Sequence, residues 1–151
     1  MLVNKVQPTS YYHKPPMEFH DFEIYYNRDS TLDHVVKNSH TYYEFYFLIS
    51  GSVTYVIDGQ EYNPKSGDVI LICPGQEHEV FIHNTQGQSY ERYVLWLSLP
   101  FLERLSSEKT NLLIPFKNSL FQSPHLSVMP DMKVMLNTIL ERLFASMRQY
   151  M

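Results

Sequence analysis

Turn signals recur about every 8–12 residues between positions 42 and 99, and they bracket short runs rich in aromatic and β-branched residues. The breaks are Gly51, Asp58-Gly59, positions 64–67 (Pro-Lys-Ser-Gly), Pro74-Gly75 and the polar stretch 84–89. Punctuation this dense leaves little room for helices, which need about ten uninterrupted residues. The runs 41–50, 53–57, 69–73, 79–83 and 90–99 are therefore expected strands, preceded by a first strand over 18–27. Twelve tyrosines and nine phenylalanines add to that preference. Asp58-Gly59 is a strong hairpin signal, because a type I′ turn needs positive φ at both central residues. The run 69–73 is apolar at every position and reads as buried on both faces. Many short strands in series predict a mainly β domain, a sandwich or a barrel.

The character changes after Pro100. A short helix is expected over 101–107, with Pro100 suited to its first turn. Residues 108–129 read as irregular, with Pro115 and Pro124. From 131 to 149 the periodicity is helical: Met132, Leu136, Ile139, Leu143 and Met147 form one stripe, widened by Met135, Leu140 and Phe144. Asp131 lies in the first turn, where the helix dipole favours an anion. Residues 1–17 are polar and marked by Pro8, Pro15 and Pro16, which reads as an extended arm. The expected division is an arm over 1–17, a barrel with its following helix over 18–107, and a linker plus C-terminal helix over 108–151.

Composition narrows the function classes. The net charge is −4 and no run of Lys or Arg occurs, so this chain by itself is a poor nucleic-acid binder. A single cysteine, Cys73, excludes a disulfide framework. No apolar stretch reaches the length of a signal peptide or a membrane span, and a cytoplasmic location is expected. No nucleophile–base arrangement, glycine-rich phosphate loop or paired-cysteine motif is present.

The chemistry-bearing residues cluster around one strand. Alternate residues of a strand share a face, so His40, Tyr42, Glu44 and Tyr46 point the same way. With His78 they form a set of two histidines and one carboxylate. That set suits an iron-type metal, or it is a hydrogen-bonded pocket rim. The remaining histidines, His13, His20, His34, His83 and His125, read as scattered surface or hydrogen-bonding groups.

The spacing His40, three residues, Glu44, six residues, Gly51, with Asn38 two places before His40, resembles the first motif of the cupin superfamily. Gly67, Pro74, Gly75 and His78 match its second motif. Metal-binding cupins carry a histidine where Asn38 stands, so the resemblance implies a site without metal or other cofactor. The full order of residues, with 18–24 and 93–102, is similar to the sensory domain of AraC-type transcription regulators over roughly residues 18–107. This implies a cupin-like double-stranded β-helix, or jelly-roll barrel, followed by C-terminal helices. It implies a non-enzymatic domain that binds a small polar effector, such as a sugar, inside the barrel. It also implies a homodimer through the helix carrying Met132, Leu136, Ile139, Leu143 and Met147. In such regulators a C-terminal domain with two helix-turn-helix units reads DNA, and residues 1–151 do not include one.

An effector site in such a barrel needs an aromatic face and polar groups to fix orientation. Trp96 is the stacking candidate, with plain core packing as its alternative. If Trp96 faces inward, so does Arg92, which would then bind hydroxyls or a carboxylate; otherwise it pairs with Glu91 or Glu61 at the surface. His40, Tyr42, Glu44, Tyr46 and His78 complete the expected effector site. The competing reading is a metal-dependent cupin isomerase or dioxygenase using His40, Glu44 and His78 with iron or manganese.

Overall fold

The computed structural model describes residues 17–149. The elements in chain order are β1 (Phe22–Asp29), β2 (His34–Asn38), β3 (Tyr43–Ser50), β4 (Val53–Ile57), β5 (Gln60–Tyr62), β6 (Val69–Ile72), β7 (His78–Ile82), β8 (Tyr90–Leu97), α1 (Leu99–Leu105), α2 (Ile114–Phe121), β9 (His125–Leu126) and α3 (Pro130–Gln149). Two antiparallel sheets result: β1-β8-β3-β6-β9 and β2-β7-β4-β5. This is the mainly β, cupin-like architecture expected, with helices behind it. The expected arm lies outside the described residues except for Met17, which packs against the core between the sheets.

The strand pairings align the side chains of that inner core in rows. In the larger sheet one row is Glu23, Trp96, Glu44 and Ile72; the next is Tyr25, Val94, Tyr46 and Ile70; the third is Asn27, Arg92 and Leu48. The smaller sheet contributes Asn38, His78 and Ile57 in one row and Val35, Val80 and Tyr55 in another. The middle of the interior is apolar and aromatic, while buried polar groups gather at its ends.

A second core lies on the outer face of the larger sheet. Ile24, Phe47, Val69, Leu71, Cys73 and Tyr93 pack there against Leu102 of α1, Phe116 of α2 and Leu140 of α3. Strand β6 is buried at all four positions because its alternate residues serve the two cores. Burial pushes the Cys73 thiol pKa up, which makes it a packing group rather than a nucleophile.

Local chemistry explains most boundaries. Asp58 and Gly59 have φ of 48° and 83°, as the I′ hairpin requires. Ser98 caps α1 by accepting a hydrogen bond from the Phe101 amide, and Pro100 occupies the first turn. Three elements depart from the sequence reading. Strand β2 is a short segment with a register irregularity between Val35 and Asn38, so its period is broken. Helix α2 occupies part of the region read as irregular, because Pro115 sits in its first turn, where no N–H is required. Strand β9 has only two residues, too few for any periodicity.

Asp68 ties β9 and α3 to the barrel. Its carboxylate accepts from the Lys65 amide (3.0 Å), from His125 Nε2 (2.8 Å) and from the Val128 amide (3.4 Å), and it pairs with Lys133 Nζ at 3.6 Å. The Lys133 side chain crosses Gly67 so closely that a Cβ there would meet Lys133 Cδ at 2.3 Å; with φ of +84°, only glycine suits this position. Burial raises the Asp68 pKa, but the hydrogen bonds from His125, Lys65 and Val128 outweigh it and hold the carboxyl below its ordinary value. A depressed folded pKa stabilises fully above the unfolded value and loses that contribution as pH falls through the folded one. Asp68→Asn is therefore expected to cost about 1–3 kcal/mol at pH 7. The difference from the parent should shrink below about pH 4, measured by urea unfolding across pH.

Candidate functional site

The polar end of the interior is built from the residues around β3. His40 and Tyr42 precede the strand, yet both are buried, with Glu44 and Tyr46 on the same inward side. The peptide at His40 is fixed by the Gly75 amide, which donates to its carbonyl at 2.9 Å. Gly75, with φ of +82°, lets the second motif turn back onto the first. That turn delivers His78 to the start of β7, beside Asn38 on the neighbouring strand.

His40 Nε2 lies 2.7 Å from Glu44 Oε2, and His78 Nε2 lies 3.8 Å from the same oxygen. The rings of His40 and His78 meet edge to face at 5.0 Å. His40 Nδ1 contacts the Tyr42 carbonyl at 2.9 Å, and His78 Nδ1 contacts the Gln76 carbonyl at 2.9 Å. A carbonyl only accepts, so both Nδ1 atoms carry hydrogen and both Nε2 atoms are turned toward Glu44. This is the arrangement by which backbone groups orient histidines toward a metal.

The donor types suit a divalent ion, but the 2.7 Å contact of His40 with Glu44 and the 3.8 Å contact of His78 are hydrogen-bond and ion-pair spacings rather than those of ligands on one ion. Two N or O ligands on one ion, bound at 2.0–2.2 Å, stand about 2.9–3.6 Å apart. The ligand atoms of His40, Glu44 and His78 all lie within 4.8 Å of one another. Asn38 replaces a histidine of the cupin motif, and its Oδ1 is buried with no hydrogen-bond partner among the described residues. Its place opposite His78 puts that oxygen on the inward face as well.

Trp96 lies between two carboxylates, Glu23 on β1 and Glu44 on β3. Its ring packs edge-on against Tyr25 at 4.7 Å and tilted against Tyr42 at 4.5 Å. Tyr42 also stacks on His40 at 4.1 Å with an interplanar angle of 5°. Glu23 is 1% exposed and accepts from the Tyr25 hydroxyl at 3.1 Å. Burial, then the neighbouring carboxylates, push the Tyr25 and Tyr42 hydroxyl pKa values far up, so both remain protonated donors. The sequence reading missed Glu23. Its flanking Phe22 and Ile24 gave only a weak hint, because the coverage of both faces of β1 shows in the fold and not in the sequence.

Arg92 does face inward, as Trp96 does, and is 2% exposed. Its Nη1 bonds Asp29 and the Tyr90 carbonyl, and its guanidinium lies 4.1 Å over the Tyr90 ring. The alternative reading, a surface pairing with Glu91 or Glu61, does not hold; Arg92 pairs instead with the part-buried Asp29. Arg92 is opposite Leu48, four residues along β3 from Glu44, so it belongs to the other end of the barrel. Between the ends, Tyr46 and Tyr90 share a hydroxyl hydrogen bond of 2.9 Å. The expected site thus divides: His40, Tyr42, Glu44, His78 and Trp96 come together, Tyr46 lies beneath them, and Arg92 is apart.

The expected seam on α3 also divides. Leu136, Leu143 and Met147 pack on the outer core, together with Phe144. Met132, Met135 and Ile139 are exposed, at 43%, 53% and 52%. The wide apolar stripe covers two faces of the helix, and the barrel takes one.

Two antiparallel sheets around a shared core, helices behind one face and a buried His–Glu–His set at one end define a cupin-like fold. The chain belongs to the AraC-like ligand binding domain family, whose model matches residues 2–147. Similar solved structures include a cupin protein from Bacteroides fragilis, at 21% identity and TM-score 0.48, covering 62% of this chain and 77% of that one. Another is a Cupin 2 conserved barrel domain protein from Salinispora arenicola, at 23% identity and TM-score 0.46, covering 60% of this chain and 75% of that one. No curated protein sequence matches the chain. No helix among the described residues is long and apolar enough to cross a membrane.

Proposed function

We propose that this domain senses a small polar metabolite, such as a sugar, inside the barrel and passes the signal to a DNA-reading domain outside this chain. The observation that carries the reading is the polar cluster itself: Glu23, His40, Glu44 and His78 are buried around Trp96. Buried charge is costly even when hydrogen-bonded, and well-packed apolar residues would serve stability at least as well. Tyr42 lies outside the strands and covers one face of Trp96, so an effector stacking there displaces Tyr42. The effector alters the output only by binding two states of the domain unequally.

The test is a metabolite screen by thermal unfolding. A true effector at 100 times its Kd stabilises by about 2.7 kcal/mol, which raises Tm by roughly 5–10 °C. That shift should vanish in His78→Gln. An effector whose shift survives both His78→Gln and Glu44→Gln would place binding elsewhere and end this reading.

The signal's outlet in this proposal is a two-fold dimer through Met132, Met135 and Ile139. Ile139→Glu is expected to convert a dimer to a monomer at micromolar concentration, read by light scattering. An unchanged mass would remove α3 from the interface.

A second reading is a metal-dependent cupin enzyme of the isomerase or dioxygenase type. The opposed Nδ1 anchors of His40 and His78 favour it. A bound iron or manganese ion would supply Lewis acidity, held by His40, Glu44 and His78. Stoichiometric metal in the purified protein would support this reading over the sensor.

A further inference from the structure

A cleft of about 490 Å³ lies outside the barrel, between the end of β1 and the last turns of α3. Its floor is aromatic. Tyr26 and Tyr93 lie 5.2 Å apart, and Phe144 sits 6.1 Å from the first and 6.3 Å from the second. Two guanidiniums flank this floor. The Arg148 guanidinium lies over the Phe144 ring at 5.8 Å and makes no side-chain hydrogen bond or ion pair among the described residues. Arg28 uses only Nε, toward Ser89 Oγ at 3.3 Å. The acidic groups nearby are largely engaged: Asp29 by Arg92, and Glu91 by the Tyr26 hydroxyl. Glu141 is the remaining lining carboxylate, so within the lining Arg28 and Arg148 face one carboxylate not taken up by Arg92, while Glu91 keeps its charge just outside the lining.

From this geometry we infer that the cleft is a second ligand site, specific for a planar aromatic anion such as an aromatic carboxylate. Its volume lies in the range of small-molecule pockets. The ligand ring stacks on the aromatic floor, and its carboxylate takes the paired N–H donors of Arg148, with Arg28 completing the charge. Tyr26 stays a protonated edge of the site, because burial and its bond to Glu91 push its pKa up to about 12. The site joins barrel to helix, so occupancy fixes α3 against β1. The inference does not depend on what the barrel interior binds.

The experiment is an amide-shift titration of the full chain with sodium benzoate, with benzamide as its uncharged counterpart. Benzoate is expected to give saturable shifts confined to residues 26–29 and 141–148, leaving the indole signal of the single tryptophan, Trp96, in place. Benzamide should bind at least tenfold more weakly, and Arg148→Met should weaken benzoate at least tenfold. Arg28→Met, at an exposed position, provides an independent variant with a smaller loss in the same direction. Shifts centred on the barrel interior, or none at all, overturn the inference. So does equal affinity for benzoate and benzamide, or benzoate binding unaffected by both arginine changes.

Discussion

Replacing Glu44 with alanine is expected to lower stability by about 3–5 kcal/mol, because two buried imidazole nitrogens lose their common partner. Glu44 is 1% exposed, so the truncation leaves its partners inside the barrel. Glu44→Gln should cost far less, about 1 kcal/mol, since an amide N–H can donate to His40 Nε2 while Nδ1 stays on the Tyr42 carbonyl. Urea unfolding of the two variants, with metal analysis alongside, separates the roles. A Gln variant as unstable as the Ala variant would mean that the negative charge itself holds the cluster. Metal present in the parent and lost from a stable Glu44→Gln would turn attention to the enzymatic reading.

Trp96→Ala is expected to cost about 3–5 kcal/mol and to lower Tm by on the order of 10 °C. The indole fills the interior between two carboxylates and against the Tyr25 and Tyr42 rings. Trp96→Phe keeps the stack and should cost about 1–2 kcal/mol. Only the Phe variant can therefore test Trp96 as a ligand platform, because the Ala variant confounds binding with unfolding. Denaturation showing the Ala variant within about 1 kcal/mol of the parent would mean that the interior is looser than its burial implies.

How much of this was legible in the residues depends on periodicity. Strands β3, β4, β6 and β8 were readable because turn residues bound them, and Asp58-Gly59 gave the hairpin with its backbone sign. Helix α2 was hidden by Pro115, which punctuates a helix interior but suits a first turn. The chemistry was partly legible because His40, Glu44 and His78 sit at spacings that a strand and a turn convert into proximity. Glu23 was not, since β1 has both faces covered and shows no alternation to mark a carboxylate as inward. Arg92 was correctly oriented but assigned to the wrong end, because facing is set by parity whereas position along the barrel is set by register with β3. The division of α3 into a docked and an exposed side needed the barrel itself, as periodicity reports apolar width and not what covers it.

Strand β1 pairs with β8 along its whole length, residue 22 opposite 97 and residue 29 opposite 90. On a ribosome making 5–20 residues per second, the finished β1 waits roughly 3–14 s for its partner to be completed. Throughout that interval a tyrosine-rich segment has no mate, and such segments pair readily with copies of themselves. Shielding of the nascent chain over those seconds therefore favours correct pairing. Slower translation lengthens the exposure, and a holdase acting on the first thirty residues shortens its effect.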